Sequence, residues 1–269
     1  MLKNHQPSLF VSHGAPDLAL HPSPARDFLT LLGKRLPRPE AIVIASAHDE
    51  ADGVVVRAPA GFRTWHDFGR FDPRLFDMRY EPVGAEQVAE EALLLLASAG
   101  LEPRRGEGDQ LDHGAWVPLS LMFPAADVPL VTVSVDPGRR SEWHERVGRA
   151  LAPLKERNVL VIGSGSISHN LHEVFAGKRQ DHAWVERFTN WLAERTEAGD
   201  RAALLAAMER APDAQRNHPT DEHLMPFFTA LGAGDGHGRR LHHSYTYDVL
   251  AMDVYAFGPG RSFMPHTFR

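Results

Sequence analysis

Apolar residues in this chain of 269 residues come in short unbroken runs, and three of the runs lead to a histidine. Ser8-Leu9-Phe10-Val11-Ser12 leads into His13, and Ala41-Ile42-Val43-Ile44-Ala45-Ser46-Ala47 into His48. Val159-Leu160-Val161-Ile162, followed by a Gly/Ser stretch, leads to His169. Such runs, bounded by Gly, Ser and Pro, predict strands of a parallel sheet covered on both faces. Further strands are predicted over residues 53–57 and 128–135, with a closing strand over 247–257 that could run antiparallel. Helical spacing appears over 27–36, stopped by Pro37-Arg38-Pro39, and over 86–99, closed by Gly100. It recurs over 141–158 with Ser141 as N-cap, over 183–195 and over 201–210. Strands and helices alternate along the chain. The predicted fold is therefore a single three-layer α/β/α domain over residues 1–269, with a central, mostly parallel (mixed) sheet.

In open α/β sheets, ligands bind outside the carboxyl ends of the strands. Histidines delivered to that edge by neighbouring strands have a metal ion as their natural common partner. There is no cysteine, so thiolate ligation, disulfides and a cysteine nucleophile are excluded, and any metal is held by His, Asp or Glu. The formal net charge of -6 and the lack of a basic stripe argue against nucleic acid as a partner. No apolar stretch approaches the length of a membrane span, and the N-terminus lacks the apolar region of a signal peptide. A cytoplasmic location is the resulting expectation.

Each candidate residue has a plain structural alternative. His13 and His48 hold equivalent strand-end positions, and either alone suits a core hydrogen bond as well as a ligand. Gly163-Ser164-Gly165-Ser166 lacks the lysine and spacing of a phosphate loop and does not fit the G-x-S-x-G nucleophile elbow. It reads instead as a turn that carries His169 back over the sheet edge. His113 follows Asp112, which suits a helix cap. Glu222 and His223 sit in the predicted first turn of a short helix capped by Thr220 or Asp221, where either supplies a last ligand. His66 and Asp67 fall in a long segment, 61–84, rich in aromatics and proline, where Trp65, Phe68 and Phe71 suit either a core or a cover over an aromatic substrate. His237, His242 and His243 read as solvated loop residues.

Taken in order, Ser12-His13-Gly14-Ala15-Pro16, Ser46-Ala47-His48, His66-Asp67-Phe68-Gly69, Asp112-His113-Gly114, Gly165-Ser166-Ile167-Ser168-His169-Asn170-Leu171 and Glu222-His223 form a pattern. It resembles the class III extradiol ring-cleavage dioxygenases, the LigB-like family, and within it the 4,5-DOPA dioxygenase branch, from about residue 8 to residue 257. The resemblance implies a mononuclear non-haem iron(II) enzyme that opens catechols with O₂, with zinc(II) possible in the same site. It implies His13 and His48 as metal ligands, and His169 both as a metal contact and as the general base. It implies His113 as a second catalytic histidine that hydrogen-bonds dioxygen or a substrate hydroxyl. At the last ligand position it implies His223, with Glu222 as rival. His66 and Asp67 are candidate substrate contacts. Two other classes fit the same histidines: a zinc-dependent hydrolase and a non-catalytic LigB-like interaction protein.

Overall fold

Strand β1 (Ser8–Ser12) is buried along its whole length, and its side chains divide between two cores. Leu9 and Val11 face one side of the sheet, and Phe10 the other. This is the signature of a strand covered by helices on both faces. The computed structural model describes residues 6–176 and 182–258. In chain order its helices and remaining strands are α1 (Pro24–Arg35), β2 (Ala41–Ser46), β3 (Val55–Arg57), β4 (Arg63–Thr64), α2 (Glu86–Ser98), β5 (Arg104–Arg105) and β6 (Gln110–Leu111). There follow α3 (His113–Met122), β7 (Leu130–Val133), α4 (Ser141–Leu151), β8 (Val159–Gly165), α5 (Leu171–Phe175), α6 (Ala183–Glu197), α7 (Arg201–Leu205), α8 (Ala207–Arg210) and α9 (Ala214–Asn217). The last are α10 (Met225–Ala233), β9 (Gly238–His242), β10 (Tyr245–Thr246), β11 (Leu250–Ala251) and β12 (Val254–Phe257).

One sheet of eight strands runs in the order β5-β3-β7-β2-β8-β1-β12-β9. Its centre, β7-β2-β8-β1, is parallel, while β12 is antiparallel to β1 and β3 is antiparallel to β7. The mixed α/β sandwich expected above is thus observed. Helices α1 and α3 pack on one face, against Leu9, Val11, Ile42, Ile44, Leu160 and Ile162. Helices α2, α4, α6 and α10 cover the other. The parallel centre brings the ends of β1, β2 and β8 to one edge. Among the described residues no helix is long and apolar enough to cross a membrane.

Several local expectations are corrected. Helix α1 starts earlier than predicted, because Ser23 accepts the amide of Arg26 and Pro24 opens the first turn. Ser141 is not the N-cap of α4. Arg140 holds that position, and the Ser141 hydroxyl donates to the Leu205 carbonyl. Helix α4 ends at Leu151 and continues as a 3-10 turn through Pro153, closed by Asn158 in the left-handed region at φ 58°. The predicted helix over 201–210 is divided into α7 and α8. The closing strand starts later than expected, since Tyr247 and Asp248 both have positive φ.

The most consequential correction concerns Gly163-Ser164-Gly165, which belongs to β8 and not to a turn. A Cβ on Gly163 would lie 2.0 Å from the Pro226 carbonyl oxygen, and one on Gly165 would lie 2.1 Å from that of His223. The glycines let the chain entering α10 cross directly against the strand. His242 is not a solvated loop residue, since it ends β9, whereas His243 lies exposed in the loop that follows, as expected. His242 stacks on Phe28 with ring centroids 4.7 Å apart, and His243 pairs with the buried Asp253 at 3.1 Å.

Candidate metal and active site

Four histidines reach the sheet edge from separate elements. His13 follows β1, and its amide donates to the Gly165 carbonyl at 3.0 Å. Gly14 then turns the chain away at φ +63°. His48 lies in the turn after β2. His113 is the first residue of α3, whose start is capped by the Asp112 carboxylate accepting the Ala115 amide. His223 precedes α10, and the contact that Gly165 permits lets its carbonyl accept the Ser166 amide at 2.8 Å. No side chain of residue 220 or 221 caps α10, whose N-cap is Leu224.

The Nε2 atom of His48 lies 3.2 Å from Nε2 of His13 and 3.3 Å from Nε2 of His223. The far nitrogens decide what these atoms carry. The Nδ1–H of His223 donates to Glu222 Oε1 at 2.7 Å. The hydroxyl of Ser164 donates to the Gly114 carbonyl, so its oxygen accepts from His13 Nδ1–H at 3.2 Å. A neutral ring protonated at Nδ1 is bare at Nε2. Two lone pairs therefore converge on a third imidazole nitrogen, and at most one hydrogen is available among the three.

Burial keeps these rings neutral. Desolvation and the neighbouring histidines hold His13 and His223 well below the ordinary imidazole range. His48 is pushed down to about 3, first by burial, with Asp67 and Glu222 pulling the other way. One hydrogen on His48 serves only one of the two lone pairs directed at it, whereas a cation among the three nitrogens would satisfy them all. Two imidazoles bonded to one ion at zinc-like distances sit about 3.3 Å apart, as these do. The donor set fits a metal. Glu222 stands behind His223 and orients it.

His113 closes the group from the helix side. Its donor nitrogen lies within 4.8 Å of those of His13 and His48, and its ring centroid is 4.0 Å from that of His48. Asp67 Oδ1 accepts both the backbone amide of His113, at 2.9 Å, and its Nδ1–H, at 3.0 Å. Burial alone would raise the Asp67 carboxyl, but hydrogen bonding and charge from His113 outweigh it and hold the group below the usual carboxylate range. Burial pushes the neighbouring Asp112 up to about 7, although Ser46 donates to it at 2.5 Å.

His169 lies flat against His223, with centroids 3.4 Å apart and planes 11° from parallel. Its amide donates to the Asn217 carbonyl, and its Nδ1 is 3.9 Å from Glu222 Oε1. Desolvation lowers its pKa, with Glu222 opposing. Of the two loop candidates, only Asp67 reaches the histidines. His66 Nε2–H donates to the Met78 carbonyl at 3.3 Å, and its ring sits among Phe68, Phe76 and Trp116. Phe68 turns an edge to His113, 5.7 Å between centroids, and packs against the core, whereas Trp65 is half exposed. Reading the sequence did not single out Ser46 or Ser164. The only signal was their matching place near the ends of two predicted strands.

A sheet edge carrying this histidine group is a candidate metal centre on an α/β fold. The chain belongs to the LigB family: residues 2–258 match the family model described as the catalytic LigB subunit of aromatic ring-opening dioxygenase. Among its relatives is the 4,5-DOPA dioxygenase extradiol of Beta vulgaris, 33% identical, with 94% of this chain and 97% of the relative covered. Another is the 4,5-DOPA dioxygenase extradiol of Escherichia coli K12, 34% identical over 88% of each. The crystal structure of an uncharacterized protein from Escherichia coli K12 superposes with a TM-score of 0.78 at 27% identity, covering 94% of this chain and 100% of the other.

Proposed function

We propose that this protein is an extradiol dioxygenase that opens the ring of a DOPA-like catechol with O₂, using iron(II) held by His13, His48 and His223. The observation that carries this reading is the meeting of three imidazole Nε2 atoms, two of them bare, at 3.2 and 3.3 Å. The names of the relatives support the substrate class. Iron(II), when bound, supplies a redox-active centre at which a catechol and O₂ meet; zinc(II) suits the same nitrogens but has no redox chemistry. The three ligands are neutral, and the Glu222 carboxylate returns negative charge to one of them through its hydrogen bond.

The protein's own groups then handle protons. His169, kept neutral by burial, takes a proton from a catechol hydroxyl. Its stacking on His223 holds it beside the ligand group. His113 in its neutral form presents a bare Nε2, because Asp67 takes its other hydrogen. It therefore accepts the second catechol proton first, and donates a hydrogen bond towards oxygen only once protonated, with Asp67 balancing the charge. Asp67 thus serves the substrate through His113, and His66 anchors the loop that carries it. Phe68 supplies an apolar wall that keeps water from the ring.

The test is anaerobic loading of the metal-free protein with iron(II), addition of DOPA or another catechol, and then admission of O₂. The reading predicts a yellow ring-opened product and O₂ uptake in proportion to catechol. No uptake with any catechol, together with zinc-dependent hydrolysis of an ester or amide, overturns it.

A further inference from the structure

We propose that Ser164 is a positioning residue of the metal site: its hydroxyl fixes His13 in the Nδ1–H tautomer and ties that ring to the start of α3. The inference rests on the reading that His13 holds a metal. Ser164 is fully buried on β8, paired in register with Val11 of β1 on one side and Ser46 of β2 on the other. Its single hydrogen goes to the Gly114 carbonyl, one residue beyond His113. That leaves its oxygen as an acceptor, and His13 Nδ1 lies 3.2 Å away. A hydroxyl whose hydrogen is already committed can only accept from the ring, so it selects one of the two imidazole tautomers.

Ser46 provides an internal comparison. It sits beside Ser164 on the next strand and also grips the α3 start, donating to Asp112 Oδ1 at 2.5 Å. Its hydroxyl meets the backbone amide of His48 at 3.3 Å and bonds no histidine ring. The two serines thus hold the same helix end, but only Ser164 acts on a ligand ring. Without its hydroxyl, His13 is free to place a hydrogen on Nε2, where the ion must bind. The competent fraction of the metal-free protein then falls, and apparent affinity falls with it.

The test uses metal-free full-length protein, titrated with zinc(II) against a chromophoric chelator, with the His13 tautomer read from ring ¹⁵N shifts before metal is added. Wild type should show Nδ1–H. Ser164→Ala should weaken zinc binding by about tenfold to a hundredfold and move His13 towards Nε2–H. Ser164→Cys fills the space, with a somewhat larger and poorer acceptor atom, and should move both readouts the same way, which keeps the test open if the alanine variant does not fold. Ser46→Ala should lower the melting temperature through the weakened cap and leave the His13 tautomer as in wild type. Wild-type affinity and tautomer in a folded Ser164 variant overturn the proposal. If wild type binds no zinc, or His13→Ala binds it as tightly as wild type, the metal reading itself has failed and the proposal with it.

Discussion

The rings of His169 and His223 lie face to face, 3.4 Å between centroids, yet only His223 turns a nitrogen to His48. Two adjacent imidazoles are therefore expected to do separable work. His169→Ala should lose about 10²–10⁴-fold in kcat, the usual contribution of a general acid–base group, while keeping its metal. Steady-state kinetics on protein of measured metal content checks this. Turnover at the wild-type rate would remove His169 from the proton path.

Glu222 and His223 are neighbours with opposed roles. His223→Ala removes a donor nitrogen and should abolish tight metal binding. Glu222→Gln keeps an acceptor for His223 Nδ1–H and loses only charge, so metal affinity should fall by about tenfold to a hundredfold. Competition titration separates them. The reverse ranking would make Glu222 the ligand.

Gly165 faces the His223 carbonyl so closely that a methyl group has no room, at 2.1 Å. Gly165→Ala should push the chain off β8, destabilising the fold by about 1–3 kcal/mol as overpacking does. It should weaken metal binding as well, because His223 moves with its backbone. A Gly165→Ala protein with unchanged melting temperature and metal affinity would contradict this packing.

Acid should destabilise the protein through buried histidines outside the site. His144 accepts the Asp136 amide at Nε2 and donates from Nδ1 to the Arg140 carbonyl, so the fold holds it neutral. Burial pushes its pKa from 6.5 to about 4, with the Arg140 carbonyl opposing. Between those values the unfolded chain binds more protons than the folded one. Stability is therefore full above the unfolded value and is lost as pH falls through this window, by up to about 1.4 kcal/mol per pH unit. Urea unfolding at pH 7 and pH 5 should show the fall, and His144→Gln should reduce it. An equal slope in the variant would show that His144 is not a source.

Much of the site was legible because buried parallel strands are unbroken apolar runs, and their carboxyl ends are where ligands gather. The strand-end positions of His13 and His48 follow from that alone. His223 does not, since it comes from a turn before a helix and enters the site by crossing two glycines of β8. Glycine in a Gly/Ser stretch reads as a turn when the neighbour it accommodates is unknown. The tautomers were equally hidden. Asp67, Ser164 and Glu222 each fix the far nitrogen of a histidine, and two of those partners lie more than 40 residues away in sequence. Periodicity carries no record of such contacts. His242 shows the same limit in reverse, as its charged, glycine-flanked sequence hides a ring stacked on Phe28.

His48 shares a close Nε2 contact with each of the other two proposed ligands, so it gives the most direct test of the whole account. Wild type and His48→Ala, each given one equivalent of iron(II) without oxygen and then DOPA, should be compared in an oxygen electrode. The account predicts one O₂ consumed per catechol opened by wild type and none above the metal-only background by the variant. Equal consumption by the two proteins would contradict it.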